Sequence, residues 1–445
     1  AMALAVMSSC SKDNDPGIGN PEENNDKAVI ALGLDVPTVT ASTRGTGSVG
    51  DVAGDQNTWN SQKLYIYMVD RNTGLEAEEG AENAKTKILD NGVLEFRAPK
   101  ADAKDKGAIR IYKSYTEDSD NGVIQYKYYP TNGQYTFYGY HIDDAANANP
   151  SITATEKKVT GVTIDSTQDL LAAKTIDMAE NDATAADPES FYKDIATSLG
   201  SEWTELMKYQ FGARTARKGI VPVLKFEHQL ARLKFFVRAG SASAAGYEWQ
   251  TSQWVERKSS DAAAKPLGMQ VTKITLKDMA NVVDMDLTVP SSTRNGAGVA
   301  DFVVCSKDAA ANNKLDPTKG LIDPVVPKYP YEDANIPAQD PDTKGTQVGE
   351  PVMFFPIDDP DNGNITLSID LKQYVEDTKD EATGTITYKE VEKADNKLII
   401  DQSKISGATK KFMPGASYNV YITIYGLEKI EVCLLYTSPS PRDTR

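Results

Sequence analysis

The sequence has few of the residues on which most catalytic and metal sites depend. Its 445 residues include only two histidines, His141 and His228, and three cysteines. A Ser-His-Asp or Cys-His site needs a base within hydrogen-bond reach of the nucleophile, and two isolated histidines in strand-like segments supply little for one. No HExxH, CxxC or P-loop motif occurs in the chain. We therefore expect a protein that is not an enzyme, with no metal and no cofactor.

Long hydrophobic runs and an excess of positive charge are also absent. No apolar run reaches the ~20 residues that a helix needs to span a bilayer. The formal net charge is −16, which repels phosphate backbones and disfavours nucleic-acid binding. Hydrophobic residues make up 40% of the chain, enough to bury real cores. The length is typical of two or three ordinary domains.

The three cysteines are not expected to form a disulfide. Cys305 follows apolar residues in DFVVC, which is typical of a small buried side chain. Cys433 opens the stretch CLLYTSPSPRDTR, whose composition departs from the strand-like residues before it. That stretch resembles a translated sequencing adapter, so we set residues 433–445 aside as an artefact. A genuine flexible tail is the alternative.

The third cysteine, Cys10, follows a short apolar run. Residues 1–9, AMALAVMSS, lack a basic region and fit the end of a signal peptide whose beginning is missing. A small residue before Cys10 resembles a bacterial lipobox, in which the cysteine carries the lipid. The next residues, SKDND, resemble the export signals of surface lipoproteins in Bacteroidetes-type bacteria. A chance cysteine at a frayed terminus is the alternative.

Strand signals dominate the rest of the chain. Four segments, KLYIYMV, ARLKFFV, NITLSIDL and SYNVYITIY, alternate with period two, which indicates half-buried antiparallel strands. Asp-Asn-Gly turns at 90–92, 120–122 and 361–363 are typical of hairpins. These signals predict a mainly β chain of sandwich type with a few short helices. The aligned face residues are Leu64, Ile66 and Met68; Ala231, Leu233, Phe235 and Val237; Ile365, Leu367, Ile369 and Leu371; and Tyr418, Val420, Ile422 and Ile424.

One segment breaks this pattern with helical spacing. DPESFYKDIATSLG carries Phe191, Ile195 and Leu199 on one helical face, and Gly200 is the predicted stop. The following GARTARKG, residues 212–219, reads as an exposed connector. We therefore predict a domain boundary at this point, with the helices as an insert in the first domain.

Several of these segments together resemble the fimbrillin family, the type V pilins of Bacteroidales. The resemblance rests on the lipobox, DLLAAK, VPVLKFEHQLARLKFFV and FMPGASYNVYITIYGLEKIEV, in this order from Cys10 to Val432. The helical insert is longer than in the family. The resemblance implies two transthyretin-like β-sandwich domains, and export as a lipoprotein to the cell outer membrane and surface. It also implies assembly with other fimbrial subunits, copies of itself and minor subunits, into an adhesive fimbria.

In the family, an arginine-specific protease removes an N-terminal strand and a strand donated by another subunit replaces it. The matching segment here is AVIALGLDVPTVTASTR, residues 28–44, followed by flexible residues from Gly45. The predicted processing site is Arg44-Gly45, because a protease needs an extended, exposed segment. An ordinary solvated arginine is the alternative. Arg214 and Arg217 are rival sites, where a cut would split the two domains.

The resemblance and the patterns together predict a domain plan and two faces for the N-terminal strand. Ile30, Leu32 and Leu34 share one face of that strand, and Val29, Ala31 and Gly33 share the other. The plan comprises a signal remnant (1–9), a flexible tether (10–27), a removable strand (28–44), a first sandwich domain with the helical insert (45–215), a second sandwich domain (216–432) and the artefact (433–445).

A second function is compatible with the same sequence: a surface lipoprotein of sandwich fold that binds glycan. The stretch YKYYPTNGQYTFYGY contains Tyr126, Tyr128, Tyr129, Tyr135 and Tyr138. Exposed aromatic rings on a sheet stack on sugars, whereas aromatic residues also pack across strands inside a hairpin. A flat exposed platform favours the glycan binder, and a removable strand over an apolar groove favours the pilin.

Overall fold

The structure is a computed structural model of the chain. It describes residues 28–35, 63–80, 84–89, 92–97, 108–111, 127–142, 152–178, 192–241, 243–250, 253–259, 267–296, 298–306, 345–357, 363–405 and 410–437. In chain order the strands are β1 Gly33–Asp35, β2 Lys63–Asp70, β3 Glu78–Glu79, β4 Thr86–Lys87, β5 Gly92–Arg97, β6 Ala108–Ile111, β7 Tyr135–Ile142, β8 Thr153–Ala154, β9 Lys158–Thr163, β10 Leu170–Thr175, β11 Val223–His228, β12 Ala231–Ala239, β13 Tyr247–Gln250, β14 Gln253–Glu256, β15 Gln270–Ala280, β16 Val282–Asp286, β17 Ser291–Arg294, β18 Val299–Ser306, β19 Thr346–Phe354, β20 Ile365–Lys379, β21 Ile386–Ile400, β22 Ser417–Ile424 and β23 Ile430–Thr437. The helices are α1 Lys193–Leu199, α2 Ser201–Met207 and α3 Ala213–Ala216. The predicted mainly β fold of sandwich type is confirmed.

A seven-stranded sheet, in the order β1-β11-β10-β7-β2-β5-β6, organises the first half of the chain. In β2, Leu64, Ile66 and Met68 point to one face, and Tyr67 and Val69 point to the other. All five side chains are buried. The prediction of a half-buried strand is therefore wrong for β2, because the helices cover one face of the sheet and the second half of the chain covers the other.

The two faces of this sheet belong to two separate cores. We call the first the helix-side core; it contains Leu64, Ile66, Phe137, Leu224 and Phe226 from the sheet, with Trp203, Leu206 and Phe211 from the helical insert. We call the second the sandwich core; it joins Tyr67, Tyr140 and Leu170 to the second half of the chain. Because successive side chains of a strand point to opposite faces, this one sheet contributes residues to both cores.

The second half forms a sandwich of two four-stranded sheets. Their orders are β19-β12-β22-β23 and β18-β15-β20-β21. The predicted apolar faces of β12, β20 and β22 are confirmed: Phe235, Ile369 and Val420, among others, are buried in the sandwich core. A further sheet, β17-β16-β9-β8, pairs β9 from before the helical insert with β16 from the second half.

The predicted start of the helical insert, at residues 187–190, lies outside the described residues; α1 begins at Lys193, and helices continue past Gly200. Helix α1 ends at Gly200, whose φ of 54° a residue without a Cβ adopts most readily. The segment predicted as an exposed connector instead contains α3, in which Ala213 and Thr215 are buried. The Thr215 hydroxyl accepts from the Gly212 N–H at 2.9 Å, so local hydrogen bonds hold this turn in a helical form.

Strand pairing crosses both predicted boundaries of the second domain. β11 follows the predicted boundary at 215/216, yet it pairs with β10 of the first half. At the other end, β23 continues through Cys433–Thr437, residues that the sequence analysis set aside. Leu434 is buried in the sandwich core, because the apolar alternation of β23 extends past Cys433.

Candidate functional site: the N-terminal strand

Residues 28–35, which we call the N-terminal segment, lie at the edge of the seven-stranded sheet. Its second half is β1, which pairs in parallel with β11 from Gly33–Val223 to Asp35–Lys225. The Gly33 N–H also donates to the Pro222 carbonyl at 2.9 Å. A Cβ on Gly33 would lie 3.3 Å from Val223 Cγ2, so the glycine allows this close approach.

The first half of the N-terminal segment is held from its other side. Val29 forms an antiparallel bridge with Tyr128. The Ile30 N–H donates to the Lys127 carbonyl and the Tyr129 N–H donates to the Ala28 carbonyl, both at 2.8 Å. The segment therefore lies between residues 127–129 and β11, and it bridges them.

Alternate side chains of the N-terminal segment are buried. Ala28, Ile30 and Leu32 are 6%, 5% and 5% exposed and belong to the helix-side core. Ala31, between them, is exposed, and Val29 is half-buried. The predicted faces are confirmed for Ile30 and Leu32, while the side chain of Leu34 lies outside the described part.

We define the groove as the surface that the N-terminal segment covers, with residues 127–129 and β11 as its walls and the helix-side core as its floor. Tyr129 is buried within it, 5.9 Å from Tyr135 and 6.2 Å from Phe137 between ring centroids. Burial raises the pKa of the Tyr129 hydroxyl well above its ordinary value.

The helical insert supports the β11 wall. The Tyr192 hydroxyl, at the start of α1, accepts a hydrogen bond from the Val223 N–H at 3.1 Å. Burial raises the pKa of this hydroxyl too. The Tyr192 ring packs against Trp203 and Phe211, with centroids 5.9 and 6.1 Å away. The insert therefore fixes β11 at the residue that pairs with Gly33.

The two histidines lie inside the same sheet. Register places both His141, on β7, and His228, on β11, opposite Leu171 of β10. His228 Nδ1 is 2.7 Å from Asp169 Oδ2, and both side chains are 3% exposed. His228 is therefore a buried residue of the sheet, and its contact with Asp169 joins the residue before β10 to the end of β11.

The other predicted site residues are placed as follows. Cys10, Arg44 and Gly45 lie outside the described residues. Arg214 and Arg217, the rival protease sites, are exposed on and just after α3.

The tyrosine stretch of the second predicted function is packed rather than laid out as a platform. Tyr129 and Tyr135 are buried, and Tyr128 and Tyr138 are half-buried. Tyr126 lies outside the described residues. Burial raises the pKa of Tyr135 to about 12, with the nearby Asp70 carboxylate as a smaller cause. Among the described tyrosines of this stretch, cross-strand packing is the better interpretation.

Sequence reasoning missed the walls of the groove. The alternation of residues 28–34 predicted a strand with one apolar face, but nothing in it indicated residues 127–129 or a parallel pairing with β11. Such pairings join residues about a hundred or more positions apart in the chain, so only the folded chain shows them.

Comparisons with known proteins find similarity only at the level of structure. No family profile matches the sequence, and no curated protein matches it. A solved candidate cell adhesion protein from Bacteroides uniformis is 10% identical, with 94% of this chain and 98% of that chain covered and a TM-score of 0.38. The fimbrial anchor protein Mfa2 from Porphyromonas gingivalis is 10% identical, with 93% and 100% covered and a TM-score of 0.29.

A third solved structure is a candidate cell adhesion protein from Parabacteroides distasonis, 8% identical, with 93% and 98% of the two chains covered and a TM-score of 0.36. Within the described residues, no helix of this chain is long and apolar enough to cross a membrane. The solved structures similar to this chain thus include candidate adhesion proteins and a fimbrial anchor protein.

Proposed function

We propose that the chain is the precursor of a structural subunit of an adhesive surface fimbria. In this proposal it is exported as a lipoprotein through Cys10 and reaches the cell outer membrane. An arginine-specific protease then cuts between Arg44 and Gly45, and a strand donated by another subunit takes the place of the N-terminal segment. Its partners are other fimbrial subunits, and the chain itself performs no catalytic step.

One observation carries this proposal: the N-terminal segment is an edge strand whose alternate side chains complete a core. Full burial of an Ile or Leu side chain contributes ~1.5–3 kcal/mol. The burial of Ile30 and Leu32 therefore contributes substantially to the stability of the first domain. Among the described strands, β1 pairs with β11 alone and ends the order of the seven-stranded sheet, while residues 28–30 pair with residues 127–129. It therefore leaves the sheet without breaking any pairing between the strands that remain.

Loss of the segment would leave a surface suited to another strand. The backbone groups of β11 that face Gly33 and Asp35 would lose their partners, and the floor beneath Ile30 and Leu32 would be uncovered. An unpaired edge beside an apolar groove is a template for β-augmentation, in which backbone bonds supply affinity and alternate side chains set the register. A covered edge also protects the precursor from premature association.

The test combines limited proteolysis with a measurement of assembly. The purified chain is treated with a trace of arginine-specific protease, and the new N-terminus and the assembly state are followed together. We expect a terminus at Gly45 and SDS-resistant ladders. Because Arg214 and Arg217 are exposed, the experiment is run in parallel on Arg214→Lys/Arg217→Lys, which removes these rival sites and retains their charge.

The matched control is Arg44→Ala, which is expected to remain uncut at this position and monomeric. Two results would contradict the proposal. One is a chain that is cut at Gly45 yet stays monomeric at every concentration. The other is a folded chain that the protease leaves intact at Arg44 while it cuts an unfolded peptide of the same sequence.

A further inference from the structure

The groove contains a buried polar group that the N-terminal segment covers without pairing it. Among the residues that the structure describes, the Tyr129 hydroxyl has no hydrogen-bond partner. Tyr129 is only 5% exposed, so its hydroxyl is shielded from bulk water as well. Such groups are rare in native proteins, because burial removes their hydrogen bonds to water and nothing replaces them. An unpaired donor at this place in the fold therefore calls for an explanation.

The tyrosines around Tyr129 use their hydroxyls for other hydrogen bonds. Tyr192 and Tyr135 both interact electrostatically with Tyr129. The Tyr192 hydroxyl accepts from the Val223 N–H at 3.1 Å, and the Tyr135 hydroxyl donates to the Asn132 carbonyl at 3.4 Å. The helix-side core thus spends these polar groups on holding β11 and the turn before β7, and the Tyr129 hydroxyl is left to whatever covers the groove.

The N-terminal segment has no side chain that could pair with this hydroxyl. Residues 28–34, AVIALGL, contain no side-chain oxygen or nitrogen. The Val29–Tyr128 bridge sets an antiparallel register that places Ala28 directly opposite Tyr129, and the Tyr129 N–H donates to the Ala28 carbonyl at 2.8 Å. Residues directly opposite each other point to the same face, and both side chains belong to the helix-side core. The residue across from the tyrosine therefore offers only a methyl group.

We propose that Tyr129 is a specificity-determining residue of the groove, which favours a strand with a side-chain oxygen at the position of Ala28 over the N-terminal segment. That oxygen accepts the hydrogen bond of the buried hydroxyl, while apolar side chains at the positions of Ile30 and Leu32 fill the helix-side core. The replacing strand thereby gains a bond that the N-terminal segment lacks. This inference rests on the proposed function, because it names the chemistry of the strand that replaces the segment.

The first experiment measures how often the segment opens in the uncut chain. Hydrogen exchange of residues 28–35, read by mass spectrometry, is compared in the wild type, Tyr129→Phe and Tyr192→Phe. We expect Tyr129→Phe to slow this exchange at least about fivefold, because closing the segment then buries no unpaired hydroxyl. Tyr192→Phe, the matched control, removes the acceptor of the Val223 N–H and should speed the exchange. Unchanged or faster exchange in Tyr129→Phe overturns the inference, as does equal slowing in both variants.

The second experiment supplies an acceptor. Ala28→Ser, Ala28→Thr, Ala28→Asn and Ala28→Gln place a side-chain oxygen at different distances from the backbone, and each is made with and without Tyr129→Phe. We expect at least one to slow exchange about fivefold more when the Tyr129 hydroxyl is present, since only that hydroxyl donates to the new oxygen. The same four substitutions at Ala31, which is exposed, should show no such dependence. If no substitution at Ala28 depends on the hydroxyl, the inference is wrong.

Both experiments use the uncut chain, so their results do not depend on processing or assembly. A new terminus at Gly45 and SDS-resistant ladders test the proposed function, whereas hydrogen exchange of residues 28–35 tests the role of Tyr129. A chain that resists cleavage at Arg44 still shows whether exchange depends on the Tyr129 hydroxyl. A chain that is cut and assembles without that dependence retains the proposed function and refutes this inference. The two proposals therefore fail separately.

Discussion

Neighbouring residues of the N-terminal segment differ sharply in burial. Ile30 and Leu32 are almost fully buried, whereas Ala31 between them is exposed. Truncation of a buried side chain lowers the stability of the protein, because transfer free energy and packing are both lost. Substitutions along the segment are therefore expected to destabilise the protein at every second position.

The first prediction concerns this alternation. Leu32→Ala is expected to lower the free energy of unfolding by ~3 kcal/mol, because a large buried side chain leaves a cavity. Ala31→Ser, at the exposed neighbour, should change it by less than ~0.5 kcal/mol. Urea denaturation of the two variants measures both values. Equal effects at the two positions would show that the segment is not seated in the helix-side core.

The second prediction concerns the buried contact between Asp169 and His228. Asp169→Ala removes one partner of a buried pair and is expected to cost ~3 kcal/mol or more, because His228 then loses its partner inside the sheet. The matched control is Glu205→Ala, which breaks an exposed pair with Lys208 and should leave stability unchanged within error. Thermal denaturation compares the two, and similar melting temperatures would contradict the prediction.

Among the elements, β20 beyond Lys372 pairs with β21 alone, and the two strands form an arm. Cross-strand pairs, rather than a hydrophobic core, stabilise this arm. A hydrogen bond from Tyr374 and the ammonium of Lys372 lower the pKa of Glu390 to about 2, below its ordinary 4.5. The Lys372–Glu390 contact measures 2.9 Å. Since the folded pKa is depressed, the contact contributes fully above pH 4.5 and is lost as the pH falls toward 2.

The third prediction follows from this pair. The Glu390 side-chain carbon, observed by NMR, is expected to titrate with a midpoint near pH 2. Tyr374→Phe removes the largest cause and should raise the midpoint toward 4.5. Tyr388→Phe removes the hydroxyl of a tyrosine two residues before Glu390 on β21 and should leave the midpoint low. If all three proteins titrate alike, the arm does not hold the geometry described.

The strands and helices show which structural features local sequence patterns predict correctly. The period-two faces of β12, β20 and β22, and the end of α1 at Gly200, follow from residues close together in the chain, and all four predictions are confirmed. Two local interpretations were wrong: β2 is buried on both faces, and residues 212–219 contain a helix. For β2 the error came from packing partners distant in sequence, which supply burial that no local pattern encodes. For residues 212–219 it came from the local hydrogen bond between Gly212 and Thr215, which favours a helical turn.

At the scale of the whole molecule, the two halves are interleaved. β10 and β11 pair from Leu171–His228 to Thr175–Leu224, on either side of the arginines of α3. β9 also pairs with β16. The sequence analysis expected a cut at Arg214 or Arg217 to split the chain into two domains, whereas these ladders hold the regions before and after the cut together.

The fourth prediction tests this interleaving. After a single cut at Arg217, the two fragments are expected to elute together in size-exclusion chromatography at the position of the intact chain. They should separate only in denaturant, because the β10–β11 and β9–β16 ladders hold them. Two separate peaks under native conditions would show that the halves are independent domains.

The sequence by itself determined the mainly β class of fold and the apolar faces of β12, β20 and β22, because alternation acts over a few positions. It also determined that Ile30 and Leu32 share a face. Only the tertiary structure decided which elements meet: the parallel pairing of β1 with β11, residues 127–129 as the second wall of the groove, and one sheet shared by two cores. These contacts join residues far apart in the chain, and burial of apolar surface, which is non-directional, selects them only when the whole chain folds.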